Sequence, residues 1–255
     1  MQSLGILGVG ELTEKLVVGL RRSGYAGAIL LSPRNAARAT ALAQECACEV
    51  MADNQSLVDG SEIVILGVRP DALDQVAKEV TFKPNQLLVS LAAGVDLQRL
   101  ADAFPAARVV RGMMSYAAQI NQTTVVLCPP DRPAGELLQG LGSLVVLEEE
   151  PAFELATVAA CMNGWFYFFL DGLQQWLGDR GLPADQARAL VLGNMQDCVA
   201  SAMSQPDIDM KALGKAIATP GTYTAEGVEA LDRLGAGAAW AGACDQVLAR
   251  LSGRT

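Results

Sequence analysis

Residues 5–13 read GILGVGELT: a short apolar run meets two glycines one residue apart, and a helix-like pattern, ELTEKLVVGLRRSG, starts at once. This order matches a dinucleotide-binding turn, G-x-G-x-x-G/A placed directly after a strand. The first glycine makes the turn, the second lets the backbone approach a pyrophosphate, and a small third residue lets the helix pack on the strand. Gly8 and Gly10 fit, whereas Thr13 in the third place is bulkier than the pattern prefers. An anion is expected at the helix N-terminus, where free N–H groups and the helix dipole favour negative charge. A tight strand-to-helix turn without ligand is the alternative that these residues leave open.

The second strand chooses the cofactor. An NAD site usually ends that strand with an acid holding the ribose 2′-hydroxyl. Here the sequence is LLSPRN, with Ser32 and Arg34 and no carboxylate. A hydroxyl and a guanidinium suit a 2′-phosphate, which arginine grips with paired charge-assisted hydrogen bonds. NADPH is therefore expected over NADH. A solvated arginine opening the next helix is the plainer reading of Arg34.

Working outward, the first half alternates short Val/Ile/Leu-rich runs with helical patterns. The strand candidates are 3–9, 28–32, 62–68, 86–92, 107–113, 123–128 and 143–149. Continuous apolar runs of this kind suit strands buried on both faces, and alternation with helices implies crossovers and a mostly parallel sheet. After Glu150 nearly everything reads as helix, punctuated by GDRGLP (178–183), SQPDID (204–209) and TPGTYT (219–224). The expected architecture is an α/β Rossmann domain with a doubly wound sheet over 1–150, then an all-α domain over 151–255. The later helices are apolar over wide faces, which suits a face shared with a second copy.

Composition narrows the chemistry. The 255 residues include no histidine, which removes His-based triads, Cys-His pairs and His-bearing zinc sites within this chain. Six scattered cysteines form no C-x-x-C, and no metal site is expected; they read as reduced thiols. A net charge of −9 disfavours nucleic acid. The chain shows no signal-peptide pattern, and its apolar runs read as too short and interrupted to span a bilayer. A cytoplasmic protein with no membrane or nucleic-acid partner is the expectation.

With these residues in view, the chain resembles the pyrroline-5-carboxylate reductase family almost end to end. The resemblance rests on GILGVGELTEKLVVGL, Ala52-Asp53-Asn54, ILGVRPDALDQV (65–76), VSLAAGVDLQRL (89–100), RVVRGM (108–113), GLPADQARALVLG (181–193) and ATPGTYT (218–224). It implies a Rossmann domain, a helical dimerisation domain, a homodimer or higher homo-oligomer, and NAD(P)H-dependent reduction of a cyclic imine. It also places Gly8, Gly10, Glu11 and Leu12 on the pyrophosphate turn, Ser32, Arg34 and Asn54 at the adenosine end, and Val68, Arg69 and Pro70 where the family has Val-Lys-Pro. Ala92, Ala93 and Gly94 fall beside the nicotinamide.

The substrate motifs depart from the family. Met113-Met114-Ser115-Tyr116-Ala117 replaces Met-Pro-Asn-Thr-Pro, and Cys161-Met162-Asn163-Gly164-Trp165-Phe166-Tyr167 replaces Ser-Gly-Ser-Gly-Pro-Ala-Tyr. Thr219-Pro220-Gly221-Thr222-Tyr223-Thr224 replaces Ser-Pro-Gly-Gly-Thr-Thr. By resemblance the substrate positions are Met113, Ser115, Asn163, Gly164, Trp165, Tyr167, Gly221, Thr222 and Tyr223. Losing a glycine at Thr222 is expected to matter if that backbone needs φ > 0. Thr224 is the candidate hydroxyl for the imine nitrogen or carboxylate, or else an N-cap for a helix starting at Ala225. Trp165 and Tyr223 are expected to line a narrower, more apolar pocket, with Phe168 and Phe169 in core or interface. The expected substrate is pyrroline-5-carboxylate or a related imine. A non-catalytic NADPH-binding homologue, acting as sensor or assembly subunit, is the alternative, and a reductase of a carbonyl or flavin-like acceptor is a third.

Overall fold

The computed structural model describes residues 2–251 and 253, and the chain divides into two compact units, Met1–Ala160 and Cys161–Thr255. Ser252, at the end of the last expected helix, lies outside the described residues.

In the first unit, β1 (Leu4–Leu7), α1 (Glu11–Arg22), β2 (Ile29–Leu31), α2 (Ala36–Cys46), β3 (Glu49–Val50), α3 (Asn54–Gly60), β4 (Ile63–Leu66), α4 (Leu73–Glu79), β5 (Leu87–Ser90), α5 (Leu97–Ala103), β6 (Arg108–Met113), β7 (Thr123–Cys128), α6 (Arg132–Leu138) and β8 (Gly142–Val146) follow in order. The eight strands line up as β3-β2-β1-β4-β5-β6-β7-β8. Every pair is parallel except β6–β7. This is the Rossmann architecture read from the sequence. Its strands are shorter than the apolar runs, because those runs continue into the glycine and alanine turns at their ends. The two-residue β3 is exposed and lacks an apolar run, so periodicity missed it. The antiparallel β6–β7 step arises because the segment 114–122 is too short for a helical crossover, which needs about a dozen residues.

Alternate residues of each strand serve opposite faces. Ile6 and Ile65 join Leu16, Leu20 and Leu127 in one cluster, while Leu7 and Leu66 join Leu57, Leu100 and Phe104 in the other. The sheet is thus buried on both faces, and all its functional loops emerge at its edges.

The long helix α7 (Glu150–Gly178) starts inside the first unit. There the buried Arg111 of β6 pairs with Glu150 and Glu154, both at 2.7 Å, and lies 4.3 Å from the centre of the Phe153 ring. Two carboxylates and a π face compensate a cation that would otherwise be costly to bury.

The second unit holds the rest of α7 with α8 (Ala184–Met203), α9 (Met210–Ile217), α10 (Tyr223–Arg233) and α11 (Ala236–Leu251). Among its described residues only Ala187 is buried. Phe168, Met203, Met210, Ile217 and Leu234 all stand more than two-thirds exposed. A unit this apolar, with almost nothing buried, cannot supply its own core. The sequence expectation about bilayer length is corrected here: α7 is one continuous helix of 29 residues, long and apolar enough by length and composition to cross a membrane.

Candidate functional site

The first unit's site grows from the turn after β1. Gly8 has φ +103°, and a Cβ there would meet Val68 Cγ1 at 2.7 Å, so only glycine fits. Its N–H donates to the Ser32 hydroxyl at 2.9 Å, tying the turn to the end of β2. Ser32 is buried. Gly10 makes the second condition: a Cβ added to it would find only Gly67 O within 4 Å, at 3.9 Å, so the space above the turn is open.

Thr13, the apparent mismatch, is built into the turn. Its hydroxyl accepts from the Gly10 N–H at 2.8 Å and donates to the Gly8 carbonyl at 3.0 Å. Room for its methyl comes from Gly67 opposite, where a Cβ would lie 2.2 Å from Thr13 Cγ2. The bulk that weakened the motif on paper is absorbed by a glycine on the neighbouring strand end. With the Gly10 amide used in this way, the N–H groups of Glu11 and Leu12 in the first turn of α1 have no helical acceptor and remain available to an anion.

Beyond β2, a groove of about 580 Å³ is lined by Pro33, Arg34, Ala52, Asp53, Asn54, Gln55, Gln75 and Glu79. Arg34 donates to the Gln75 side chain at 3.2 Å, and Asn54 donates to Glu79 at 2.6 Å. The other side-chain atom of Asn54, Oδ1, is buried with no hydrogen-bond partner among the described residues. A buried acceptor left open beside a groove is the feature a ligand donor would complete. Asp53 accepts from the Ser56 N–H at 2.7 Å as the cap of α3, and these amide bonds hold its carboxyl below the usual carboxylate range. Gln75 and Glu79 escaped the sequence reading. They sit one helical turn apart on α4, and nothing in the sequence says which face of α4 meets β2. They bring a carboxylate, Glu79, into the groove that Arg34 lines.

Val68 is half-buried against the turn, while Arg69 is exposed and paired with Asp71 at 3.2 Å. Pro70 opens a 3-10 turn over Pro70–Ala72. After β5, Ala92 is buried, Ala93 is exposed, and Gly94 takes φ +69° with open space where a Cβ would be. Parallel strands with these turns at their C-terminal ends place the two glycine turns and the arginine groove along one edge of the sheet. Open space over Gly10 and Gly94 and the unpaired Asn54 oxygen all fit an extended dinucleotide.

The sequence-derived substrate positions fare differently. Met113 packs with Val126, Cys128 and Phe153, and the Ser115 hydroxyl accepts from the Ala117 N–H at 3.2 Å and meets Thr123 Oγ1 at 3.1 Å. Both are occupied in packing and capping. In the second unit, Trp165 does not stand free: its ring centre lies 6.1 Å from that of Trp240, which Phe166 and Phe169 also approach at 5.8 and 6.2 Å. Trp165 thus belongs to an aromatic knot between α7 and α11, while Asn163, Gly164, Tyr167 and Phe168 are exposed. Trp165, expected to line a pocket, is packed against Trp240, and Phe169, expected in core or interface, packs against the same ring.

The last loop brings two further corrections. The positive φ falls on Gly221, at +83°, while Thr222 is extended at −97°, a conformation any residue adopts. A glycine is not required at Thr222. The N-cap is Thr222, whose hydroxyl accepts from the Ala225 N–H at 3.2 Å, and the helix starts at Tyr223 rather than Ala225. Thr224 is therefore in the first turn, exposed, and its hydroxyl has no partner among the described residues. Tyr223 is 91% exposed.

A Rossmann unit with a glycine turn, an arginine groove and an open dinucleotide edge defines a nicotinamide-dependent oxidoreductase. Comparison with known proteins agrees. Residues 3–94 match the family model "NADP oxidoreductase coenzyme F420-dependent", and residues 150–253 match "Pyrroline-5-carboxylate reductase dimerisation". A pyrroline-5-carboxylate reductase of Pseudomonas aeruginosa is 29% identical over 251 residues, covering 89% of this chain and 90% of that protein. One of Pasteurella multocida is 26% identical over 248 residues, covering 91% and 90%. The crystal structure of 1-pyrroline-5-carboxylate reductase from Streptococcus pyogenes superposes with a TM-score of 0.84 at 27% identity, covering 98% of each chain. The chain is thus similar to pyrroline-5-carboxylate reductases nearly end to end, and it is an NAD(P)H-dependent oxidoreductase acting on a C=N bond.

Proposed function

We propose that this protein reduces the C=N bond of a cyclic imine with NADPH, the substrate being pyrroline-5-carboxylate or a close relative. The observation that carries the proposal is the joint presence of an intact dinucleotide edge and a C-terminal loop with a free hydroxyl and helix N–H groups. The nicotinamide supplies a hydride when bound. Glu11 and Leu12 would hold the pyrophosphate through their amides, Arg34 the 2′-phosphate and Asn54 the adenosine end, with Ser32 anchoring the turn through Gly8. Val68, Arg69, Pro70 and Ala92–Gly94 would wall the nicotinamide arm.

Imine reduction asks little else of a protein than orientation and a proton at nitrogen. A substrate already protonated at nitrogen needs no strong general acid, which suits a chain without histidine. The unpaired Thr224 hydroxyl is the group we assign to the imine nitrogen or the carboxylate. The free N–H groups in the first turn of α10, with the positive end of its dipole, favour a substrate carboxylate. Asn163, Gly164, Tyr167 and Tyr223 are the remaining substrate-side positions in this assignment.

The bare apolar surface of the second unit supports a homodimer or higher homo-oligomer with these helices as the interface. That cover also accounts for the apolar length of α7 without a bilayer, and we place the protein in the cytoplasm. The domains proposed are 1–150 for the cofactor and 151–255 for pairing and substrate. The deciding experiment is NADPH oxidation over a panel of cyclic imines with and without a ring carboxylate. Turnover of at least one supports the assignment, and none at all refutes it.

A further inference from the structure

Tyr116 stands where the family has a small threonine, and its place in the fold is fixed from several sides. It opens the 3-10 turn Tyr116–Ile120 that follows β6. That turn is pressed onto α1 with Ala118 fully buried, and a Cβ at Gly19 would lie 2.1 Å from the Ala118 carbonyl oxygen. Asn121, in the left-handed region at φ 57°, donates to the carbonyls of Gly19 and Gly140, both at 2.9 Å. Ser115 caps the turn from the other end. The backbone beneath Tyr116 is therefore rigid, while its side chain is half out in solvent, with 53% exposed. The phenol donates to Glu11 Oε2 at 3.3 Å.

Glu11 is the first residue of α1, and its own amide is one of those left for the pyrophosphate. A carboxylate at this point would repel a bound phosphate bridge, so holding the phenol is a poor use of the site once cofactor enters. The neighbouring cations Lys15 and Arg38 are already paired with Glu14, at 3.3 and 2.6 Å. Desolvation, and then the Glu11 charge, push the Tyr116 hydroxyl above its ordinary range.

We propose that Tyr116 is a cofactor-binding residue whose phenol O–H donates to the phosphate bridge of the dinucleotide, with Glu11 holding that O–H when no cofactor is bound. The proposal rests on the assignment of the β1–α1 turn to the pyrophosphate. It adds a side-chain donor, beside the Glu11 side chain at the start of α1, on a loop otherwise read as substrate lining. Glu11 then acts as a competitor for the phenol, and affinity depends on both residues together.

The test is fluorescence titration of the full-length protein with NADPH and with 2′-AMP, which carries the 2′-phosphate but no bridge. Tyr116→Phe should weaken NADPH roughly tenfold, as expected for one hydrogen bond to a charged group, and leave 2′-AMP unchanged. Glu11→Gln should tighten NADPH a few-fold, and the gain should shrink in the Tyr116→Phe background, where only the relief of charge repulsion is left; an undiminished gain there would show that Glu11 does not compete for the phenol. Equal NADPH affinity in wild type and Tyr116→Phe overturns the proposal, as does an equal loss for 2′-AMP, which would mean general disturbance of the unit. Wild type that binds 2′-AMP but not NADPH would instead overturn the assignment of the turn itself.

Discussion

The backbone N–H of Gly8 and the hydroxyl of Ser32 are joined by a 2.9 Å hydrogen bond, so the phosphate turn is anchored by the residue that ends the second strand. Ser32 thus shapes the site for any dinucleotide, whatever it does at the 2′ position. Replacing Ser32 by Ala leaves the part-buried Gly8 amide without its acceptor, at a cost of about 1–3 kcal/mol. NADH and NADPH should weaken alike in Ser32→Ala. Calorimetric titration of both cofactors checks this, and a loss confined to NADPH would show that the hydroxyl serves the phosphate alone.

Arg34 should behave in the opposite way. It lies in the groove, where it donates to Gln75 and, among the described residues, has no carboxylate partner. Arg34→Ala should lose about 1.5–3 kcal/mol of NADPH binding, the range for a hydrogen bond to a charged group, and almost none of NADH binding. Glu79→Gln should raise the preference for NADPH, because a carboxylate lining the same groove opposes a 2′-phosphate. Indifference of wild type to the 2′-phosphate would contradict both.

Trp240 is the hub of the second unit's aromatic packing. Trp240→Ala removes the ring against which Trp165, Phe166 and Phe169 are set, and should cost on the order of 3 kcal/mol. Since so little else is buried there, the loss should appear as weaker assembly. Sedimentation at micromolar concentration should show wild type as a dimer or larger, shifted toward smaller species in the variant. A wild-type monomer would contradict the interface assigned to these helices.

Pyrroline-5-carboxylate turnover by wild type should be slow, and the last loop separates two causes. Thr222→Gly should not raise it, because Thr222 is extended and its hydroxyl caps α10. Tyr223→Thr should raise it, by up to roughly tenfold, by removing bulk beside the loop. Steady-state rates for the two single variants decide: improvement in Thr222→Gly alone would restore the backbone explanation set aside above.

Asp53 gives a pH signature. Its carboxyl is held low by the Ser56 and Gln55 amides at the start of α3. A lowered folded value means the stabilisation is complete above the unfolded pKa of about 3.9 and is lost as pH falls through the folded value. Wild type should be more stable than Asp53→Ser at neutral pH, and the two denaturation midpoints should converge in acid below about pH 4. A constant gap across that window would show that charge has no part in the cap.

The order of strands and helices, the glycine turn and the change to an all-helical second half were legible in the sequence. Each rests on local rules: apolar runs that must be buried, glycines that alone tolerate φ > 0, and turn residues that interrupt a period. Tertiary structure decided what local rules cannot reach. Thr13 is acceptable because Gly67 lies across from it, and Glu79 on α4 joins the groove that Arg34 lines. Glycine is needed at Gly221 and not at Thr222, and Tyr116 meets Glu11 across more than a hundred residues of chain. In each case the outcome depends on which faces of separate elements are brought into contact. Packing of the whole sheet and its helices sets that contact, whereas the residue spacing that a sequence displays sets only the faces themselves.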